Sequence, residues 1–189
     1  MLAEVYAAAA DLQHFCIAQQ WQFCFIGGLA IQRWGEPRYT HDADLTLMTG
    51  FGGERRYIDP LLAHFSPRRP QAAEFAERHR VLLLLHPNGI PMDVAMGAFP
   101  FEEASIARSS VWAAIPGCEL RTCCAEDLIV HKAFAGRDGD WQDIRGILMR
   151  QGAKLDLPLI ERELIPLLAL KEQPENLDRL RQLIARHLR

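Results

Sequence analysis

Two aspartates one residue apart, Asp42 and Asp44, stand at the head of the apolar run Leu45-Thr46-Leu47-Met48. Side chains at i and i+2 of a strand share one face, so the pair presents both carboxylates to one place. Asp is depleted in strand interiors, and two in such a context call for a reason beyond the backbone. Upstream, the hydrophobic run Trp21–Ile26 ends at Gly27-Gly28, and a short helical pattern, Leu29–Trp34, follows. Glycines at a strand-to-helix junction let the backbone approach phosphate oxygens, and the helix N-terminus points its unpaired N–H groups at them. One glycine suffices for a tight turn; two are better explained by a backbone pressed against a ligand. A phosphate cradle beside paired carboxylates is equipment for holding magnesium on a nucleoside triphosphate.

These residues need a frame. Residues 2–20 read as an amphipathic helix with Leu2, Val5, Ala9, Leu12 and Cys16 at helical spacing. Trp21–Ile26 reads as a buried strand, Leu29–Trp34 as a helix, Gly35–His41 as a loop and Asp44–Met48 as the second strand. The glycine-rich stretch Thr49–Gly53 is expected to be flexible and to move over the site. Arg55–His64 reads as a helix despite Pro60, and Ser66–Pro70 as a loop. Val81–Leu85 and Ile90–Ala95 predict a hairpin about Pro87-Asn88-Gly89, and Val111–Ile115 and Glu119–Cys123 another about Pro116-Gly117. Leu128–Ala135 and Trp141–Arg150 follow as helices, and the pattern from residue 154 is wholly helical, broken at Gln173-Pro174. Strands up to residue 124 and helices afterwards predict an α+β chain: a core over 1–124 and a helical C-terminal region over 125–189, packed as one unit with it.

Gly27-Gly28, a spacer of thirteen residues, and Asp42-x-Asp44 inside an apolar strand resemble the signature of the nucleotidyltransferase superfamily, which includes polymerase beta, CCA-adding enzymes and aminoglycoside nucleotidyltransferases. The resemblance covers roughly residues 20–150. It implies a short mixed sheet flanked by helices and a third acid on a neighbouring strand. Asp93, in Ile90-Pro91-Met92-Asp93-Val94-Ala95, is the candidate, although Pro91 is typical of an edge strand. Asp59 and Glu102-Glu103 are its rivals but fall in helical contexts. The stretch Trp34–Asp42, with Arg38 and Thr40 before the first acid, is similar to the bacterial AbiEii-like branch, as is Glu126–Lys132 followed by Asp140-Trp141-Gln142-Asp143. Many members carry serine where this chain has Gly28, which leaves phosphate contact there to backbone N–H groups alone.

The resemblance implies metal-dependent transfer of a nucleoside monophosphate from a nucleoside triphosphate, ATP among the candidates, to an acceptor hydroxyl. Asp42, Asp44 and Asp93 would be the catalytic Mg2+ or Mn2+ ligands, and Gly27, Gly28, Arg38, Thr40, Lys132 and Asp143 the nucleotide contacts. The acceptor, whether tRNA, a protein or a small molecule, is not named by any motif. Read without the resemblance, Lys132 is a snorkelling lysine on an apolar helix, Asp140 a residue that helps start its helix, and His41 structural. The alternative is a non-catalytic nucleotide-binding protein, or one half of a toxin–antitoxin-type pair whose helical tail meets a protein partner.

Composition agrees with a water-soluble globular chain: 49% of the 189 residues are hydrophobic and 24% charged. A net charge of −3 gives no global pull toward nucleic acid. Arg55-Arg56, Arg68-Arg69, Arg78 and Arg80 make the middle third locally basic; solvated charge is the ordinary explanation and a phosphodiester contact the sharper one. The five cysteines lack a C-x-x-C pairing and are expected as buried, reduced thiols, with Cys123 and Cys124 on opposite faces of a strand. No zinc spacing joins His64, His79, His86 and His131. Ala7–Ala10 lies between Glu4 and Asp11 without a basic stretch before it, unlike a signal peptide, and no apolar run is long enough to span a bilayer. The expected location is the cytoplasm, with no membrane partner.

Overall fold

The computed structural model describes residues 2–188. Its chain divides into two compact units, residues 1–29 with 39–123, and residues 30–38 with 124–189.

The first unit is built on a seven-stranded mixed sheet: β1 (Phe23–Phe25), β2 (Ala43–Met48), β3 (Ser66–Pro67), β4 (Val81–Leu85), β5 (Pro91–Gly97), β6 (Ser110–Ile115) and β7 (Cys118–Thr122). The spatial order is β3-β4-β5-β2-β1-β7-β6. The β2–β5 and β1–β7 pairs are parallel and the rest antiparallel. Helix α1 (Leu2–Ala18) precedes β1, and four helices join strands: α2 (Gly27–Trp34, which ends in the second unit), α3 (Arg55–His64), α4 (Ala72–His79) and α5 (Pro100–Arg108).

Alternation along β2 decides which face is core. Ala43, Leu45 and Leu47 are buried, among the cluster that holds Leu12 of α1, Ile58 of α3 and Ala76 of α4. Asp44, Thr46 and Met48 take the opposite face. There α5 covers the far end of β2: a Cβ on Gly97 would lie 3.2 Å from Thr46 Cγ2 and 3.3 Å from Glu102 Cβ.

Three expectations change. Pro91 does not mark an edge, since β5 lies between β4 and β2. Pro91 is the strand's first residue, opposite Leu85, where the ladder needs no donor from it. Thr49–Gly53 leaves β2 at the end opposite Asp44, about 13 Å along the strand at 3.3 Å per residue, and does not cover the carboxylates. Arg80 pins it, donating to Thr49 Oγ1 at 3.1 Å and Gly50 O at 2.9 Å. Cys123 and Cys124 are not strand neighbours either: β7 has ended, and Cys124 caps the next helix by accepting from Asp127 N. All five cysteines are free thiols, with Cys16, Cys24 and Cys123 buried.

The second unit packs α6 (Ala125–Ala135), α7 (Asp138–Gln151), α8 (Leu157–Lys171) and α9 (Glu175–His187) around Leu128, Ile144, Ile160, Leu164 and Leu180. Residues 30–38 belong to it. Arg150 Nη1 donates to Gly35 O at 2.6 Å, Gln151 Nε2 donates to Trp34 O at 2.7 Å, and Gly146 lets Glu36 N come within 3.1 Å of where its Cβ would be. No helix among the described residues is long and apolar enough to cross a membrane.

Candidate active site

The glycine pair is fixed by what lies against it. Gly27 opens α2 with φ +55°, and a Cβ there would sit 1.9 Å from Asp44 Oδ2. A Cβ on Gly28 would sit 2.0 Å from Thr40 Oγ1. A side chain at either position would therefore displace a carboxylate or a hydroxyl. Thr40 is buried, and its hydroxyl donates to Asp42 Oδ1 at 3.2 Å, which orients that carboxylate. The first N–H groups of α2, lacking partners within the helix, start beside Asp44.

Register brings the third acid in. Asp44 of β2 is paired with Asp93 of β5 across a parallel ladder, so their side chains leave the same face of adjacent strands. Burial raises the Asp93 carboxyl above its usual range; the Arg68 guanidinium opposes this, and the Asp42 charge adds to it. Asp44 and Asp93 thus share one patch of sheet, and Asp42, one residue before β2, lies near enough for its charge to act on Asp93; all three are half-buried.

Sequence reasoning missed the partner of Asp93. Arg68, just past β3, donates from Nη2 to Asp93 Oδ1 at 2.7 Å. Among the described residues no three His, Cys, Asp or Glu side chains are set around a common metal position as they stand. The donor chemistry nevertheless fits a hard divalent cation. Three carboxylates, two of them mutually repelling, supply oxygen ligands only. Arg68 now provides part of the positive charge that such an ion would bring. No sequence signal joins Arg68 to Asp93, because only the β3–β4–β5 register relates them.

The remaining candidates lie in the second unit, where they meet one another. Arg38 grips Asp143 with two bonds, Nε to Oδ1 at 2.7 Å and Nη2 to Oδ2 at 2.9 Å. Lys132 Nζ sits between Asp140 Oδ1 at 2.9 Å and Asp143 Oδ2 at 2.8 Å. Arg137 Nε completes the set on Asp140 Oδ2 at 2.8 Å. Burial alone would raise both carboxyls; hydrogen bonds and charge from Lys132, Arg38 and Arg137 overcome it and hold them below the usual range. Lys132 is buried and does not snorkel. Asp140 also accepts from Arg137 N at 3.1 Å, starting α7 as its position suggested. His41 is exposed against the Tyr39 ring.

A mixed sheet with helices on both faces, a glycine turn against its second strand, and a helical C-terminal part form the fold of nucleotidyltransferase-like proteins. Among solved structures the chain is similar to an antigenic nucleotidyltransferase-like protein from Paracoccidioides brasiliensis: 17% identity, 95% of this chain and 93% of that one covered, TM-score 0.55. It is also similar to the solution structure of the antibiotic-resistance factor ANT(2'')-Ia: 19% identity, 94% and 95% covered, TM-score 0.47. No family model matches the chain, and no curated protein matches it.

Proposed function

We propose that the protein is a metal-dependent nucleotidyltransferase, moving a nucleoside monophosphate from a nucleoside triphosphate to an acceptor hydroxyl. The observation that carries this is the Asp44–Asp93 register beside Gly27, which sets two carboxylates next to the start of α2. The fold shared with a nucleotidyltransferase-like protein supports it, and the Trp34–Asp42 stretch supports a place in the AbiEii-like branch.

In this reading the N–H groups of Gly27 and Gly28 receive phosphate oxygens, and Thr40 keeps Asp42 aimed. Asp42, Asp44 and Asp93 would hold Mg2+ or Mn2+, which when bound neutralises the triphosphate and lowers the pKa of the acceptor hydroxyl. Asp93, one strand beyond Asp44, would take the acceptor's proton at Oδ2. The Lys132–Asp140–Asp143–Arg38 set, with three cations counting Arg137 for two anions, holds the helices of the second unit together. A nucleotide-binding protein without turnover, cytoplasmic and paired with a protein partner, is the second reading. It is favoured by the engagement of Asp93 with Arg68.

Asp44→Asn tests the choice. The variant is expected to melt like the parent and to lose transfer of labelled nucleotide about a thousandfold or more, a barrier increase of several kcal/mol. The parent, in turn, is expected to be stabilised by a triphosphate only with Mg2+ present, by about 2.7 kcal/mol at a hundred times the dissociation constant. Equal stabilisation with and without metal rejects the mechanism. Metal-dependent stabilisation with no transfer to RNA, protein or small hydroxyl compounds selects the second reading.

A further inference from the structure

One row of side chains crosses the open face of the sheet. Leu83 of β4 is paired with Asp93 of β5, and Asp93 with Asp44 of β2. Arg68 N donates to Leu83 O at 2.9 Å, which puts Arg68 at the same level beyond β4. The order along the row is therefore Gly27, Asp44, Asp93, Leu83, Arg68. The Arg68 side chain crosses the face of β4 to reach Asp93.

This order has chemical content on the nucleotidyl-transfer reading, on which the inference rests. In-line displacement at phosphorus puts the leaving pyrophosphate and the attacking hydroxyl on opposite sides. The glycine turn and the α2 N-terminus lie at one end of the row, with the carboxylates in the middle. The Leu83–Arg68 end is left for the acceptor.

What that end would recognise can be read from its surface. Leu82 and Leu84 are buried in the core, while Val81, Leu83 and Leu85 are half-open on the site's face. Arg68 is the cation there. Its Nη2 is bonded to Asp93, 32% of its side chain is exposed, and its other side-chain N–H groups have no protein acceptor among the described residues. The other arginines of the basic middle third are occupied elsewhere or lie on helices of the opposite face. Arg55 pairs with Glu77 at 2.8 Å, Arg80 with Glu54, and Arg69 stacks over Phe75 at 3.7 Å, while Arg56 and Arg78 are on α3 and α4. A polynucleotide track needs a succession of cations along its phosphates. Among the described residues, the Leu83–Arg68 end of this face offers one cation, Arg68, beside an apolar floor.

We propose that Arg68 binds an anionic group of the acceptor, and that the acceptor is a small hydroxyl compound carrying a carboxylate or phosphate on an apolar body that lies over Leu83. A guanidinium with free donors takes either anion in the same planar fashion.

The test uses the whole protein with Mn2+ and a non-hydrolysable ATP analogue, and follows binding of a small panel by saturation-transfer NMR. The panel is 3-phenyllactate, hydroxyalkyl phosphates of similar size, and their neutral counterparts such as 3-phenyllactamide. The anionic members are expected to bind about tenfold or more tightly than the neutral ones, the scale of a charged hydrogen bond. Arg68→Ala is expected to abolish that preference and Arg68→Lys to keep part of it. Arg68→Ala should keep the parent's melting temperature, because a half-exposed pair contributes little to stability. It should also hold Mn2+ at least as tightly, because Asp93 has lost a competing cation. A preference that survives Arg68→Ala, equal binding of neutral and anionic members, or no panel binding in protein that does bind Mn2+ and triphosphate overturns the inference while leaving the transfer reading standing. Protein that binds neither Mn2+ nor triphosphate overturns both.

Discussion

At the residue scale the glycine pair is the most constrained point of the molecule. Its spacing from Asp42 and Asp44 is visible in the sequence, but what it touches is not. The sequence suggests a ligand, whereas the nearest groups to an added Cβ are Asp44 Oδ2 and Thr40 Oγ1. Gly27 also needs φ +55°, which alanine adopts at a cost. Gly27→Ala is expected to destabilise the fold by about 1–3 kcal/mol in urea titration, and to weaken Mn2+ binding by shifting Asp44. Unchanged stability and Mn2+ affinity would mean that the contact is slack. Arg68 shows the reverse limit: its role depends on a partner 25 residues away in sequence, reached only through strand register, which no local pattern encodes.

At the scale of elements, the strands that carry the carboxylates were legible because apolar alternation and the Asn88-Gly89 turn are local signals. α4 and α5 were not. α5 starts without a Ser, Thr or Asp cap; Glu102 instead reaches back to accept from Ala98 N at 2.7 Å and Phe99 N at 2.9 Å. α4 is eight residues, flanked by Gln71 and Arg80 in the left-handed region, where glycine would have announced a boundary. α6 carries a testable property of its own. Burial pushes the His131 imidazole down to about 4 from an ordinary 6.5; Asp127 resists this and Lys132 adds to it. As pH falls, the unfolded chain takes up this proton before the folded one does. Stability is therefore complete above about pH 6.5 and drops through the window down to pH 4, by about 3 kcal/mol. Asp140 and Asp143, held below the usual carboxylate range, add their loss only at still lower pH. Urea titrations between pH 7 and pH 4 should show this slope in the parent and a flatter one in His131→Leu. Equal slopes would assign the acid sensitivity elsewhere.

At the scale of the whole chain, the change from strands to helices near residue 124 is plain in the sequence, but the membership of residues 30–38 is not. That stretch follows the glycine turn and precedes the carboxylates, so it reads as a loop of the core. Its partners, Asp143, Gly146, Arg150 and Gln151, come more than a hundred residues later. A fragment ending at residue 123 is accordingly expected to lack a cooperative melting transition by calorimetry. A sharp transition in that fragment would show that residues 30–38 do not need their later partners. The same arrangement bears on descent. Appending a helical tail to an existing sheet by a single gene fusion would leave Arg38 without Asp143, and Trp34 and Gly35 without the side chains that bond their carbonyls. Recombination that exchanges tails between relatives is therefore expected to yield working hybrids only when residues 30–38 travel with the tail.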